Sequence, residues 1–214
     1  MSAFPPFGRA EPVVEQRMED AENLSPVTSA KGVGDAVGIP GRQWYVAFVG
    51  QNTEKSCREK LQRLGYDCYV ATQDEIHQWR NGRRHHVERV VISTIVFVHA
   101  TEDERRDIVN LPFIKYFMTD KAALANDFGI HPLAVVTDKE MQKLRFMLYH
   151  ADQPVEFNTA PVHEGDAIRV VRGTLKGFEG HVVNLRDGSP RLVVRIGSLG
   201  CATLSISLED IEKR

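Results

Sequence analysis

Glu164-Gly165-Asp166-Ala167-Ile168-Arg169-Val170-Val171-Arg172-Gly173-Thr174-Leu175-Lys176-Gly177-Phe178-Glu179-Gly180-His181-Val182-Val183 reads as strand, loop, strand. Ile168 and Val170 alternate with Arg169 and Arg172, the period of a half-buried strand. Gly173, Gly177 and Gly180 punctuate a loop, where glycine supplies positive φ or lets two backbones approach. Val182, Val183 and Leu185 open the next strand. Asp187-Gly188-Ser189-Pro190 marks a turn, Leu192 to Ile196 a third strand, Gly197 to Gly200 another turn, and Ala202 to Ser207 a fourth strand. Short strands at this spacing predict a small barrel.

The pattern G-D-x-I-R-V followed by G-x-x-x-G-F-x-G-x-V resembles the KOW motif, found on small SH3-like barrels of ribosomal proteins and of NusG-type transcription elongation factors. Its loop residues are Gly173, Lys176, Gly177, Phe178 and Gly180. The closing segment, Leu199-Gly200-Cys201-Ala202-Thr203 through Glu209-Asp210-Ile211-Glu212-Lys213, is similar to the end of a NusG chain.

Upstream, Trp44-Tyr45-Val46-Ala47-Phe48-Val49 is an aromatic and β-branched strand preceded by Pro40-Gly41. Asn52 or Thr53 caps a helix in which Cys57, Leu61 and Leu64 recur at helical spacing, with Glu54 in its first turn and Gly65 at its end. Tyr66 to Ala71 is a second strand. Asn81-Gly82 is the strongest hairpin signal in the chain, with Arg83 to Val91 returning antiparallel. Thr94 to His99 is an apolar strand, Glu102 to Val109 a helix and Ile114 to Met118 a strand. Thr137 or Asp138 begins a helix that carries Met141, Leu144 and Leu148. The order predicts an antiparallel-rich sheet with helices on one face. Trp44-Tyr45-Val46, Trp79-Arg80-Asn81-Gly82-Arg83-Arg84 and Val96-Phe97-Val98 are similar to the first strand, hairpin and central strand of the NusG N-terminal domain. With the KOW segment, the resemblance runs over roughly residues 43–214. The expected class is α+β: a NusG N-terminal-like antiparallel sheet with helices over 43–150, a linker over 151–160, and a KOW SH3-like β-barrel over 161–214. Residues 1–42 hold Pro5-Pro6, Pro12, Pro26, Pro40 and scattered glycines without apolar period, and read as a disordered tail.

Bulk composition sets limits on function. Net charge is -2, and no segment is strongly basic, so binding driven by a global cationic field is disfavoured and a protein partner is the first expectation. Three cysteines, Cys57, Cys68 and Cys201, form no C-x-x-C pair and no even set, which fits a reducing cytoplasm. No apolar run spans a bilayer and no signal peptide opens the chain.

The resemblance implies RNA polymerase as partner, through an apolar face that grips a coiled coil of its largest subunit. On this chain the face maps to Ile92 or Ile95, flanked by Trp44 or Tyr45. The family's aromatic-Pro-Gly-Tyr entry to the central strand is here Val91-Ile92-Ser93-Thr94-Ile95. Strand alternation puts Ile92 opposite Ile95 unless a bulge intervenes, and which of the two is exposed stays open. Arg105 and Arg106 fall where family members meet a second polymerase element. Trp79, Arg80, Arg83 and Arg84, with Arg89 nearby, suit phosphate contact and base stacking on nascent RNA or an exposed DNA strand. Leu199 and Cys201 replace the outer residues of the Phe-Gly-Arg turn that housekeeping members use for Rho or a ribosomal protein, which leaves the KOW partner open. These departures favour a specialised paralogue that prevents termination in particular long operons. The alternative is a KOW-type RNA- or ribosome-binding protein acting away from polymerase.

His77, His85, His86 and Cys68 lack the short-spaced pairs of a zinc site. No triad, phosphate loop or dinucleotide fingerprint occurs. The expectation is a monomer with no enzymatic activity, cofactor, metal or membrane association.

Overall fold

Alternate residues of the first strand enter two different cores. Along β1 (Gln43–Val49), Trp44, Val46 and Phe48 face one apolar cluster, while Tyr45, Ala47 and Val49 face the other. The central strand β5 (Ile95–Ala100) does the same: Ile95 and Phe97 one way, Val96, Val98 and Ala100 the other. A strand apolar on both faces needs cover on both. The first sheet therefore carries α1 (Glu54–Arg63) and α2 (Glu102–Val109) on one side, through Cys57, Leu61 and Ile108. On the other lies α3 (Asp138–His150), through Met141, Leu144, Met147 and Leu148. The expectation of helices on one face is corrected by this third helix. The periodicity of α3 was legible, but not the layer it joins.

The computed structural model describes residues 41–78, 84–159, 165–184 and 189–213. Of the tail expected over residues 1–42, residues 1–40 lie outside the described residues, as does the hairpin tip over 79–83; Arg42, expected in the tail, donates to His99 O at 3.3 Å and pairs with Glu104. The sheet order is β2 (Asp67–Tyr69), β5, β1, β6 (Ile114–Phe117), with β7 (Val135–Val136) also paired to β1. All pairings are antiparallel. A separate two-stranded sheet pairs β3 (Thr72–Gln78) with β4 (Arg84–Val90).

Helix starts are set by local chemistry. Thr101 and Thr137 each form a reciprocal capping box, with Glu104 and Glu140 respectively. The first helix departs from expectation. Thr53 makes no side-chain cap, and its hydroxyl donates to the Gly50 carbonyl at 2.8 Å. Glu54, only 3% exposed, instead accepts the Thr94 N–H at 2.6 Å.

A second, six-stranded sheet runs β13 (Ile211–Lys213), β9 (Asp166–Val170), β10 (Glu179–Asn184), β11 (Pro190–Ile196), β12 (Gly200–Ser205), β8 (Glu156–Asn158). The expected strands and Gly-rich loop are present, but the path is open: β8 and β13 end it, and no pairing closes a barrel among the described residues. Edge strand β8 comes from the segment expected to be a linker, with Phe157 opposite Ala202. The main core spans both sheets. Ile168, Val170, Leu175, Phe178 and Leu192 belong to the same cluster as Trp44, Ile95 and the α3 residues.

Candidate functional site

The entry to β5 decides where the apolar docking residues go. Thr94 takes φ 63, a left-handed conformation uncommon for a β-branched residue. Its N–H is held by Glu54, and its carbonyl accepts from Val49 N at 2.9 Å. This turn interrupts strand alternation, so Ile92 and Ile95 enter the same cluster, at 3% and 5% exposure. The sequence left the exposed isoleucine undecided; both are buried. Trp44 joins them at 5% exposure, whereas Tyr45, one residue on, belongs to the opposite core. The expected patch is thus one buried set of three, with Tyr45 excluded by strand alternation.

Trp44 stands in a column of planar groups. His99 stacks on it at 4.7 Å between centroids, and the Arg145 guanidinium lies 4.7 Å from its ring centroid and 4.6 Å from that of Tyr69. The indole N–H donates to Asp138 Oδ1 at 2.9 Å. Burial pushes the Tyr69 hydroxyl up to about 12, so that ring remains neutral.

The segment leaving α3 is clasped to the base of the β3–β4 hairpin. Gln73, 4% exposed, accepts from Val155 N at 2.8 Å. Its amide nitrogen donates to Gln153 O at 2.8 Å and to Ala151 O at 3.3 Å. Arg89 donates to Gln73 Oε1 at 3.1 Å, to Val155 O at 3.0 Å, and to Glu75. Arg89, expected as part of a phosphate-facing cluster, is therefore engaged inside the hairpin base. On the other flank Glu88 pairs with Arg58 at 3.1 Å and Lys55 at 3.2 Å, and accepts from Thr72 at 2.8 Å. Burial alone raises the Glu88 carboxyl, but the hydrogen bonds from Thr72, Arg58 and Lys55 outweigh it and hold it at about 2. Trp79, Arg80 and Arg83 lie outside the described residues. Arg84 opens β4, opposite Gln78, with its side chain outside them as well.

Arg105 and Arg106 separate. Arg105 makes two hydrogen bonds to Glu102, at 2.7 and 2.8 Å, and lies over the Phe117 ring at 5.4 Å. Arg106 is two-thirds exposed and pairs with Glu102 at 3.3 Å. These hydrogen bonds, Arg105's foremost, hold the Glu102 carboxyl at about 2.

In the C-terminal sheet, Gly173 and Gly177 take φ 80 and 89, the conformation their loop demands. Gly177 N donates to Val170 O at 2.8 Å, and Val170 N to Phe178 O at 2.9 Å. A side chain on Gly180 would stand 2.9 Å from Leu192 Cδ1. Lys176 points to solvent, while Phe178 is buried and stacks on Phe146 of α3 at 5.7 Å. Leu199 and Cys201, expected as partner contacts, are 6% and 5% exposed. Cys201 lies in β12 opposite Asn158, and the turn before Leu199 is fixed by Gly197 N donating to Glu140 Oε1 at 3.0 Å. The partner contacts expected at these two residues meet a correction: both are buried, Leu199 in the main core and Cys201 between β11 and β8 in the sheet. Sequence reasoning missed Gln73, Phe146 and Glu140. Only Glu140 left a signal, as the third residue of the Thr137 capping box.

Residues 42–145 match the family model described as transcription termination factor nusG. Over those residues the chain is similar to the NusG type, a family of non-enzymatic transcription elongation factors. The chain is similar to a solved structure described as "Domain interaction in Thermotoga maritima NusG", at 14% identity and TM-score 0.40 over 82% of this chain and 99% of that one. It is also similar to one described as "Crystal Structure of MjSpt4:Spt5 complex conformation B", at 11% identity and TM-score 0.27 over 79% and 95%. No curated protein matches. Among the described residues no helix is long and apolar enough to cross a membrane.

Proposed function

We propose that this chain binds RNA polymerase and limits pausing or termination in particular long operons, with residues 43–150 as the polymerase-binding part and the KOW segment 161–214 as a recruiting part. The carrying observation is the coincidence of a NusG match over residues 42–145 with a following sheet whose Gly173–Phe178 loop has the backbone conformation its glycines imply. Docking is assigned to the apolar set Ile92, Ile95 and Trp44. Because that set is buried, docking through it requires the clasped segment, α3 and the C-terminal sheet to part from it. The apparent affinity is then reduced by the fraction of molecules in which they have done so.

Arg106 is the exposed cation of the α2 pair and the better candidate for a second polymerase contact. Trp79, Arg80, Arg83 and Arg84 are assigned to nucleic acid beside the enzyme on sequence grounds. The reading is tested by transcription in vitro with purified polymerase on a template bearing a pause and a terminator. Added protein should shorten the pause and raise readthrough. Unchanged transcripts at saturating protein contradict it.

A further inference from the structure

Three large apolar side chains sit in solvent on one loop. Leu124 is 94% exposed, Phe128 86% and Ile130 63%, in the connection between β6 and β7. The loop does not turn these groups inward, and it is braced in the conformation that displays them. Its stem closes through an antiparallel bridge between Thr119 and Leu133 and through Asp120 N donating to Pro132 O at 2.8 Å. At the tip, the Asn126 side-chain oxygen accepts from Phe128 N at 3.0 Å and Ile130 N at 2.9 Å. The Asn126 main chain adds two bonds: its N–H to Ile130 O at 2.9 Å, and its carbonyl from Gly129 N at 2.8 Å. His131 Nδ1 and Ala123 O are 2.9 Å apart. A fixed loop presenting a Phe and a Leu forfeits their burial in the free protein, and recovers it only against an apolar surface.

We infer that the Leu124–Phe128–Ile130 loop is a second docking knob for RNA polymerase, seated in an apolar groove of that protein; this rests on the reading above. Three side chains supply only a few hundred Å² of apolar surface, well below the roughly 800 Å² per partner of a stable interface. The knob therefore cannot hold a second copy of this chain by itself, and serves a partner already held elsewhere. Between residues 120 and 132 stand Asp120, Asp127 and Lys121, a balance that does not favour phosphate backbones or an anionic bilayer. The placement agrees: Met118 N donates to Val46 O at 2.8 Å, and β7 pairs with Trp44 and Tyr45, so the loop joins two strands paired to β1, which carries Trp44 of the assigned docking set.

The test measures affinity of the full chain and its Leu124→Ser/Phe128→Ser variant for purified RNA polymerase, with an unstructured RNA oligonucleotide and phosphatidylglycerol-containing vesicles in parallel. Both side chains are solvated, so the variant should fold and melt like the parent. At least about a tenfold loss of polymerase affinity, with RNA and vesicle behaviour unchanged, is expected. Polymerase affinity within twofold of the parent overturns the inference. So does a loss confined to RNA or vesicles, which reassigns the knob to those surfaces. If the parent itself fails to bind polymerase, the proposed function falls and the inference falls with it. A parent that binds beside an unaffected variant removes the inference alone.

Discussion

The Gln73 side chain and the Val155 main chain form a buried pair: Val155 N donates to Gln73 Oε1 at 2.8 Å, while the same carboxamide donates to Gln153 O at 2.8 Å. One side chain thus stands in for a strand partner to a segment that has none among the described residues. Removing it leaves a buried donor and its acceptors unpaired, each costing about 1–3 kcal/mol where water does not replace it. Gln73→Ala is expected to destabilise the chain by about 2 kcal/mol in urea, with faster amide exchange at Val155. Gln73→Glu does not rescue it, because a carboxylate has no N–H for Gln153. Unaltered exchange at Val155 would remove the clasp from the account.

Thr94 occupies a left-handed backbone site at φ 63. A β-branched residue is strained there by about 1–2 kcal/mol, against which glycine loses some chain entropy on folding. Thr94→Gly should raise stability by about 1 kcal/mol or less. A loss of stability would mean that the strain is illusory. At the neighbouring positions, Ile92→Asp and Ile95→Asp should each abolish folding, since both side chains lie in the main core. A folded, cooperatively melting Ile95→Asp would contradict its burial.

Glu88 sets an acid limb. Its carboxyl is held at about 2, below its ordinary 4.5. The folded state therefore binds this proton more weakly than the unfolded state. The stability it contributes is complete above about pH 4.5 and drains away as pH falls towards 2. Glu88→Gln should be less stable than the parent at neutral pH and should lose less stability across that window. Parallel pH profiles for the two proteins would refute the assignment.

Phe178 lies against Phe146 of α3, joining the Gly-rich loop to the helix that packs on the first sheet. Phe178→Ala is expected to cost about 3 kcal/mol, the lower end for a buried aromatic, read from its urea midpoint. Phe146→Ala should cost less, being only partly buried. Full additivity of the pair in a double-mutant cycle would show that the stack carries no coupling.

What the sequence made legible were features with a local cause. Gly173 and Gly177 sit at positive φ, Thr137 caps the start of α3, and β1, β5 and α2 lie within a residue or so of their expected places. What it hid depended on tertiary context. Nothing local marks Thr94 as left-handed, and that single turn sends both isoleucines inward. Glu156-Phe157-Asn158 is too short to read as a strand until β12 offers its edge. Gln73 looks like one more polar residue on a polar hairpin until Val155 approaches it. Leu199 and Cys201 were expected as partner contacts because the core that Leu199 joins and the strand opposite Cys201 are assembled from residues remote in sequence.

The most direct test of the central claim is the equilibrium binding of purified RNA polymerase by the full chain and by Gln73→Ala, side by side. The parent is expected to bind, and the variant to bind more tightly although less stable, because loosening the clasp uncovers the cluster holding Ile92 and Ile95. Binding by neither protein would contradict the claim that this chain is a polymerase-bound elongation factor.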